Sequence, residues 1–523
     1  MPLPSAADLP TQSPQYWVDQ HAHQLEWKLE RTAELLTNAQ PAEVQVHGRS
    51  YLALLKESQH YPQLTPAALN LIAQLHPLPV RWGWGHEWES QLRFALDHTP
   101  AENIPLRAEY MCGLAEVYLP VGRFEDAVQQ GKTVLALNSV PANLAVGALR
   151  TLFTCYRLTG QAVLSDELME ISRERFLGDL PAEQVPPESA QAWLVYNTLQ
   201  LELMREQGLL EPGLTLVDQM IWLDQRMGSP DILLTAELIT FRSTFRWEVG
   251  RYWESVEDIQ LAIDFFARGG DILNSESLFS NLGLVYWSIG ELDLAEQSLN
   301  RAIGFYRKTG AAQLETYDIG NLGLINFARG ELDQAMRLYE EHVAHARRLK
   351  FSSEMARGER NIPKIHFYKG RVEEALAALK ASIPYFEKRG SRYSYYLNFL
   401  WMARCYKAQG RHDFARAEVE RVMAWCQIDR PIVMVQLTLR CLADYLPLEE
   451  QEPLLLESLS LARKMGRLLE EAAVLLQLGR AAHDPLLGQQ YWQQGVGLLQ
   501  KQGAGAWLAG SSLEDPPFYP MMM

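Results

Sequence analysis

The amino-acid sequence predicts an all-α fold, a solenoid of antiparallel helix hairpins, and three observations lead there. Gly250, Gly290, Gly330, Gly370 and Gly410 lie 40 residues apart. Ala295, Ala335, Ala375 and Ala415 form a second column at that period, and Leu282, Leu322, Ile362 and Met402 a third. Between the columns, apolar residues recur at helical spacing rather than in alternation. Residues that return at a fixed period mark stacked units, none of which can bury its apolar face alone. At 523 residues the length would suit three ordinary domains, yet stacking lets one elongated array absorb it all.

Taken in order, residues 1–14 hold four prolines without periodicity and read as a flexible tail. Residues 15–102 form an N-terminal helical region. It contains a helix from Tyr16 to about Asn38, then a degenerate repeat that Gly85 closes and that Trp82, Trp84 and Trp88 pack. The solenoid proper is 103–429. Its first hairpins gather around Leu114, Tyr118, Gly122 and Ala127, then around Leu152, Tyr156 and Gly160, with a poorer one before Gly208. Glycine spacing drifts to 38, 48 and 42 between Gly122, Gly160, Gly208 and Gly250. The longest interval contains Pro181, Pro186 and Pro187, hence a longer loop. Five well-formed hairpins follow between 233 and 429. Residues 430–510 keep the helical period at 454–465 and 468–481 without the glycine column, as expected of C-terminal helical repeats and a cap. Residues 511–523, with Pro516, Pro517 and Pro520, read as a second flexible tail.

The stretch from Glu276 to Gly310 shows how one unit is specified. An apolar helix through Leu282, Val285 and Tyr286 stops at Gly290, and a second through Ala295, Leu299, Ala302 and Tyr306 stops at Gly310. Glycine suits both stops because the chain turns there through a left-handed backbone conformation in which a Cβ is costly. The turn between units repeats at Gly270, Gly310 and Gly390, with Lys350 interrupting the column. Gly283 and Ala295 let the two helices approach closely, while Leu282, Tyr286 and Leu299 fill the seam.

The set Leu282-Gly283, Tyr286, Gly290, Ala295, Leu299 and Ala302 resembles the tetratricopeptide repeat, whose signature has Leu-Gly, Tyr, Gly and Ala at these intervals. The pattern is nearly kept around Gly330, where Asn326 replaces the tyrosine. It departs at Gly370, with Pro363 for the small residue and His366 for the tyrosine, and at Gly250, with Ser255 for the alanine. The resemblance implies a right-handed superhelix whose concave groove binds protein or peptide partners. Its usual period is about 34 residues. The extra residues here lengthen each helix by roughly 4.5 Å and deepen the groove. Long repeats with Asn-Leu-Gly opening the signature look like those of kinesin light chains, spindle-orientation adaptors, bacterial quorum-peptide receptors and the sensor arrays of bacterial signalling ATPases.

In peptide-binding members of that family, an asparagine before Leu-Gly bonds the main chain of an extended ligand. This chain has it at Asn281, Asn321 and Asn361. On a wheel of about 100° per residue, Leu282 and Tyr286 point into the hairpin, whereas Asn281 and Trp287 fall on the opposite half. A side-chain amide both donates and accepts, which suits a peptide main chain; a merely solvated face is the alternative. The same face continues through Arg357, Arg360 and Lys364, then Arg404 and Lys407. Arginine forks grip carboxylates with paired hydrogen bonds, so an acidic segment or a free C-terminus fits this cluster. Pairing with Glu354 and Glu359 is the competing account. Trp247, Trp287, Phe327 and Phe367 share the phase, as ligand pockets or as packing between repeats, with packing favoured for the two phenylalanines. Pro363 either kinks the helix that bears the cluster or only replaces a small packing residue. The segment Asp515-Pro516-Pro517-Phe518-Tyr519, acidic and aromatic, is a candidate internal ligand of the groove.

Composition narrows the function classes. With 48 Lys+Arg against 64 Asp+Glu the net charge is -16, which repels nucleic-acid phosphates and anionic lipid. No nucleic-acid or membrane partner is expected, and a cytoplasmic location is, because no secretory signal or run of about 18 apolar residues occurs. Five scattered cysteines, none in Cys-x-x-Cys spacing, indicate neither disulfides nor zinc. Gly131-Lys132-Thr133 lacks the first glycine of a phosphate loop, where Asp126 stands, and Gly503-Ala504-Gly505 follows no strand. His86-Glu87 meets Ser90 where a second zinc histidine is needed. His342 and His345 share a helix face, but two ligands fall short of a zinc site. No cofactor, metal or catalytic residue is therefore assigned. The expected function is a non-enzymatic scaffold or adaptor; a ligand-responsive sensor array acting on a separate effector is the second class.

Overall fold

The computed structural model describes residues 14–36, 41–388, 392–509 and 511–513. Most of both expected tails, Gly390 and the Asp515–Tyr519 candidate ligand lie outside the described residues. Among the described residues every regular element is helical. Apolar residues at helical spacing between turn glycines leave the backbone to satisfy its hydrogen bonds locally.

These residues fall into two compact units. The first takes the described residues up to Leu119, together with Glu125–Thr151 and Arg268–Leu273. It contains α1 (Pro14–Leu36), α2 (Pro41–Ser58), α3 (Thr65–Leu75), the single turn α4 (Leu78–Arg81), α5 (Gly85–His98) and α6 (Ile104–Tyr118). Most of α7 (Phe124–Ala136) and part of α8 (Ala142–Leu158) complete it. Trp82 and Trp88 are buried, and Trp84 meets Trp82 edge-on at 5.1 Å. Gly85 opens α5 rather than closing a repeat; Gly83, at φ 79°, makes the turn.

The second unit holds α9 (Ala162–Ser172), α10 (Ala190–Glu206), α11 (Leu210–Arg226), α12 (Ile232–Glu248), nearly all of α13 (Tyr252–Arg268) and α14 (Ile272–Ile289), and α15 (Leu292–Thr309). It continues through α16 (Ala312–Arg329), α17 (Leu332–Arg348), α18 (Ser352–Tyr368), α19 (Val372–Lys388), α20 (Arg392–Ala408) and α21 (His412–Asp429). It ends with α22 (Ile432–Ala443), α23 (Leu448–Met465), α24 (Leu468–Ala481) and α25 (Pro485–Lys501). The starts of α12, α14, α16, α18, α20 and α22 lie 40 residues apart. The proline-rich interval expected as a loop separates α9 from α10 and contains two short 3-10 turns. From α15 to α25 each helix packs on the next, a solenoid of consecutive hairpins.

Local chemistry explains the hairpin. A Cβ on Gly283 would lie 2.8 Å from Leu299 and 3.1 Å from the Ala295 carbonyl oxygen, so α14 and α15 touch through backbone there. Gly290 and Gly330 cap their helices at φ 103° and 88°. Lys350 adopts the same left-handed conformation at φ 55°. The turn imposes it on a residue with a Cβ at a cost of roughly 1 kcal/mol. Pro363 stands inside α18 without ending it.

One apolar cluster in this unit runs from Ala182 to Met465. The C-terminal helices return onto earlier hairpins. A Cβ on Gly250 would meet Met465 at 2.9 Å, on Gly290 Leu469 at 3.0 Å, and on Gly330 Ala506 at 3.1 Å. At Gly370 and Gly410 nothing lies within 4 Å. Among the described residues no helix is long and apolar enough to cross a membrane.

Candidate functional site

The residues singled out for binding sit on α14, α16, α18 and α20, the first helices of successive hairpins. The expectation of an open amide ladder is corrected by burial. Asn281 is half-buried, while Asn321 and Asn361 are 3% and 2% exposed. The wheel placed them opposite the hairpin seam, but that face is covered by the helix of the next repeat. Arg357 of α18 donates through Nη1 to Asn321 Oδ1 at 2.7 Å and through Nη2 to the Tyr317 carbonyl at 2.8 Å. Asn321 Nδ2 in turn donates to Asp318 Oδ1 at 3.2 Å. Asn361 Oδ1 is buried with no hydrogen-bond partner among the described residues.

A polar chain therefore crosses three repeats. Ser280 of α14 donates to Asp318 Oδ2 at 2.5 Å and contacts the Tyr306 hydroxyl at 3.0 Å. At the other end Arg357 Nε lies 2.6 Å from Glu354, whose Oε2 is 3.0 Å from His342 Nε2. Burial pushes the Asp318 carboxyl up to about 7, against the hydrogen bonds of Ser280 and Asn321 and the charge of Arg357. Burial also opposes the Glu354 charge, but Arg357 and His342 outweigh it and hold that carboxyl below its usual value. His342 is lowered by its own desolvation. Pairing with a neighbouring acid, the competing account for the basic cluster, thus holds for Arg357.

The other cations are handled differently. Arg360 donates to Ser394 Oγ at 2.5 Å and its guanidinium lies 5.6 Å from the Phe386 ring. Lys364 and Arg404 share Trp401, at 5.7 and 5.2 Å from its ring, and Arg404 also donates to the Tyr368 hydroxyl at 3.2 Å. Lys364 is 2% and Arg404 4% exposed. Desolvation, reinforced by the neighbouring guanidinium, lowers Arg360 to about 10 and Lys364 well below its ordinary value. Two guanidinium groups and a lysine amine whose charge burial opposes are held against rings in low dielectric, where a nearby carboxylate would favour their charged forms.

Trp287, expected to face a ligand, is buried among Leu292, Ala295, Leu299 and Leu469 and serves packing. Phe327 is packed as expected, against Tyr368 and Trp401. The sequence reading missed the buried Arg440–Glu470 pair, 3.4 Å apart, and Trp507, whose ring lies 4.7 Å from Tyr368. Arg440 follows the last turn glycine of the column, and Trp507 stands in an Ala- and Gly-rich stretch, so neither lay on a periodic pattern. No group of three or more His, Cys, Asp or Glu among the described residues is placed to hold a metal.

Residues 277–309 match the tetratricopeptide repeat. No curated protein matches the chain. A Rap protein complexed with Competence and Sporulation Factor superposes with a TM-score of 0.54 at 13% identity, over 69% of this chain and 99% of its own. The Rap conjugation gene regulator of the plasmid pLS20, in complex with the Phr* peptide, gives 0.48 at 12% identity over 74% and 96%. The APC/C hetero-tetramer Cut9-Hcn1 gives 0.45 at 14% identity over 92% of each chain. The first of these likenesses establishes the fold, a tetratricopeptide-like helical solenoid.

Proposed function

We propose that the chain is a non-enzymatic scaffold or adaptor that recognises an extended peptide or partner helix through the inner residues of α14, α16, α18 and α20. Asn281, Asn321 and Asn361 would meet the ligand main chain, and Arg357, Arg360, Lys364 and Arg404 its carboxylates. The observation that carries this reading is the burial of Lys364 and Arg404 on one tryptophan ring. Two basic side chains gathered on one ring, in a chain with 64 acidic against 48 basic residues, suit recognition of an acidic segment. The Rap protein of like fold is solved with a bound factor, and the same use of the fold is proposed here.

Fluorescence anisotropy with labelled acidic, neutral and basic peptides tests it. Acidic members should bind in a salt-dependent way, and Asn361→Ala should weaken them about fivefold, the loss of one hydrogen bond near 1 kcal/mol. Equal binding of basic peptides, or affinity indifferent to replacing all three asparagines, removes the reading. Asn321→Ala needs a melting control, because it also deprives Arg357 of its acceptor.

A ligand-responsive sensor is the second reading, favoured by the burial of Asn321 and Asn361. Reaching them requires the unit to open, so scattering should report a larger radius with ligand bound; an unchanged radius at saturation argues for the passive scaffold. Assays for nucleotide and ester hydrolysis should give only background rates.

A further inference from the structure

Trp507 sits on the 3-10 turn Gly505–Leu508 that follows α25. Its indole Nε1 donates to the Ala328 carbonyl at 2.9 Å. That carbonyl lies in the last turn of α16, where helix carbonyls have no intrahelical donor. The ring lies 4.7 Å from Tyr368 and 5.9 Å from Phe327. Beneath it Phe327, Tyr368 and Trp401 form one aromatic floor, with centroids 5.8 to 6.4 Å apart. Lys364 and Arg404 flank that floor through Trp401. Phe327 and Trp401 are buried, whereas Tyr368 and Trp507 above them are only partly covered. Gly503, at φ 71°, turns the chain out of α25 just before Trp507.

An aromatic anchor over a largely buried aromatic floor, with basic side chains packed on its tryptophan, has the composition of an interface hot spot. Here the anchor comes from the chain itself. We propose that this seat is the principal partner pocket and that Trp507 is its built-in occupant. The partner is a peptide segment with an aromatic side chain near carboxylates, which replaces Trp507 on Phe327 and Tyr368 and sets its acids against Lys364 and Arg404. This rests on the peptide-binding reading above and names its pocket, its ligand chemistry and its autoinhibition. The chain's own run from Trp507 to Glu514 and Asp515 has that composition, which makes it the natural template for a probe.

The probe is a labelled synthetic copy of residues 505–515, with its tryptophan-to-alanine version as control, titrated into the full chain. A pocket occupied in cis more than nine-tenths of the time weakens apparent affinity at least tenfold. Trp507→Ala should therefore bind the probe at least tenfold more tightly than the unchanged chain, and the control peptide at least tenfold more weakly than the probe. Equal affinities for the two chains or the two peptides overturn the proposal. If Trp507→Ala fails to fold, 5-fluorotryptophan placed at position 507 decides. Its fluorine resonance should move toward the solvent-exposed value on titration with the probe, and a resonance fixed at saturation refutes displacement. Acidic peptides that bind while ignoring Trp507 would sink this inference alone; no acidic peptide binding at all sinks the wider reading too.

Discussion

The hairpin α14–α15 and the layer where α17 meets α18 differ in place, one lying inside a repeat and the other between two repeats, and they are built from opposite materials. In the first, Leu282, Gly283, Ala295, Leu299 and Ala302 close an apolar seam, and this is the stretch that matches the tetratricopeptide repeat. In the second, His342, Glu354, Asn361 and Lys364 are buried at the same depth. Hairpin geometry is thus maintained by small residues and turn conformation, and where the consensus lapses the interior is free to hold charge. The lapse coincides with the residues proposed above to meet a ligand, and local inconsistency of this kind is characteristic of functional sites.

The largest test of this contrast is Glu354→Ala. Removing the acid leaves Arg357 and His342 buried without it, and loss of one partner of such a pair costs about 3–5 kcal/mol. Chemical denaturation should show that loss; a change below about 1 kcal/mol would mean water already screens the cluster. Next comes pH. Asp318 is raised from 3.8 to about 7 in the fold, so the native state holds the extra proton between those values. Its stability should therefore fall as pH rises through that window and level off above it. Asp318→Asn should remove on the order of 2 kcal/mol of the decline between pH 5 and pH 8; identical slopes for both chains would refute the assignment. In the apolar hairpin, Gly283→Ala should cost about 1–3 kcal/mol through overpacking against Leu299, measurable as a lower Tm with no change in pH dependence. Smallest is Gly370→Ala at a turn with open space around it. Only backbone strain operates there, about 1 kcal/mol, and Gly330→Ala should exceed it because Ala506 and Trp507 crowd that site.

The same contrast explains what could be read from the sequence. The period, the turn conformations, the close approach at Gly283 and the helices at 454–465 and 468–481 are local properties, set by residues a few positions apart. The fate of Asn321 was not local. A helical wheel separates the hairpin side from its opposite, but which helix covers the opposite side depends on partners such as Arg357, 36 positions on. Trp507 is the extreme case, since its acceptor Ala328 is 179 residues away and no periodicity announces it. The basic cluster was legible as a cluster; its sorting into an acid-paired arginine and ring-held cations was not.

The row of contacts from Met465, Leu469 and Ala506 to Gly250, Gly290 and Gly330 has one further consequence. A freely stacked array tolerates duplication or loss of a module, since every module touches only its neighbours. Here the returning helices work like a ratchet pawl whose teeth match three consecutive notches. Inserting one more hairpin between Gly290 and Gly330 would put the wrong notch under each tooth, so the number of modules is locked and the notched segment should melt as one block.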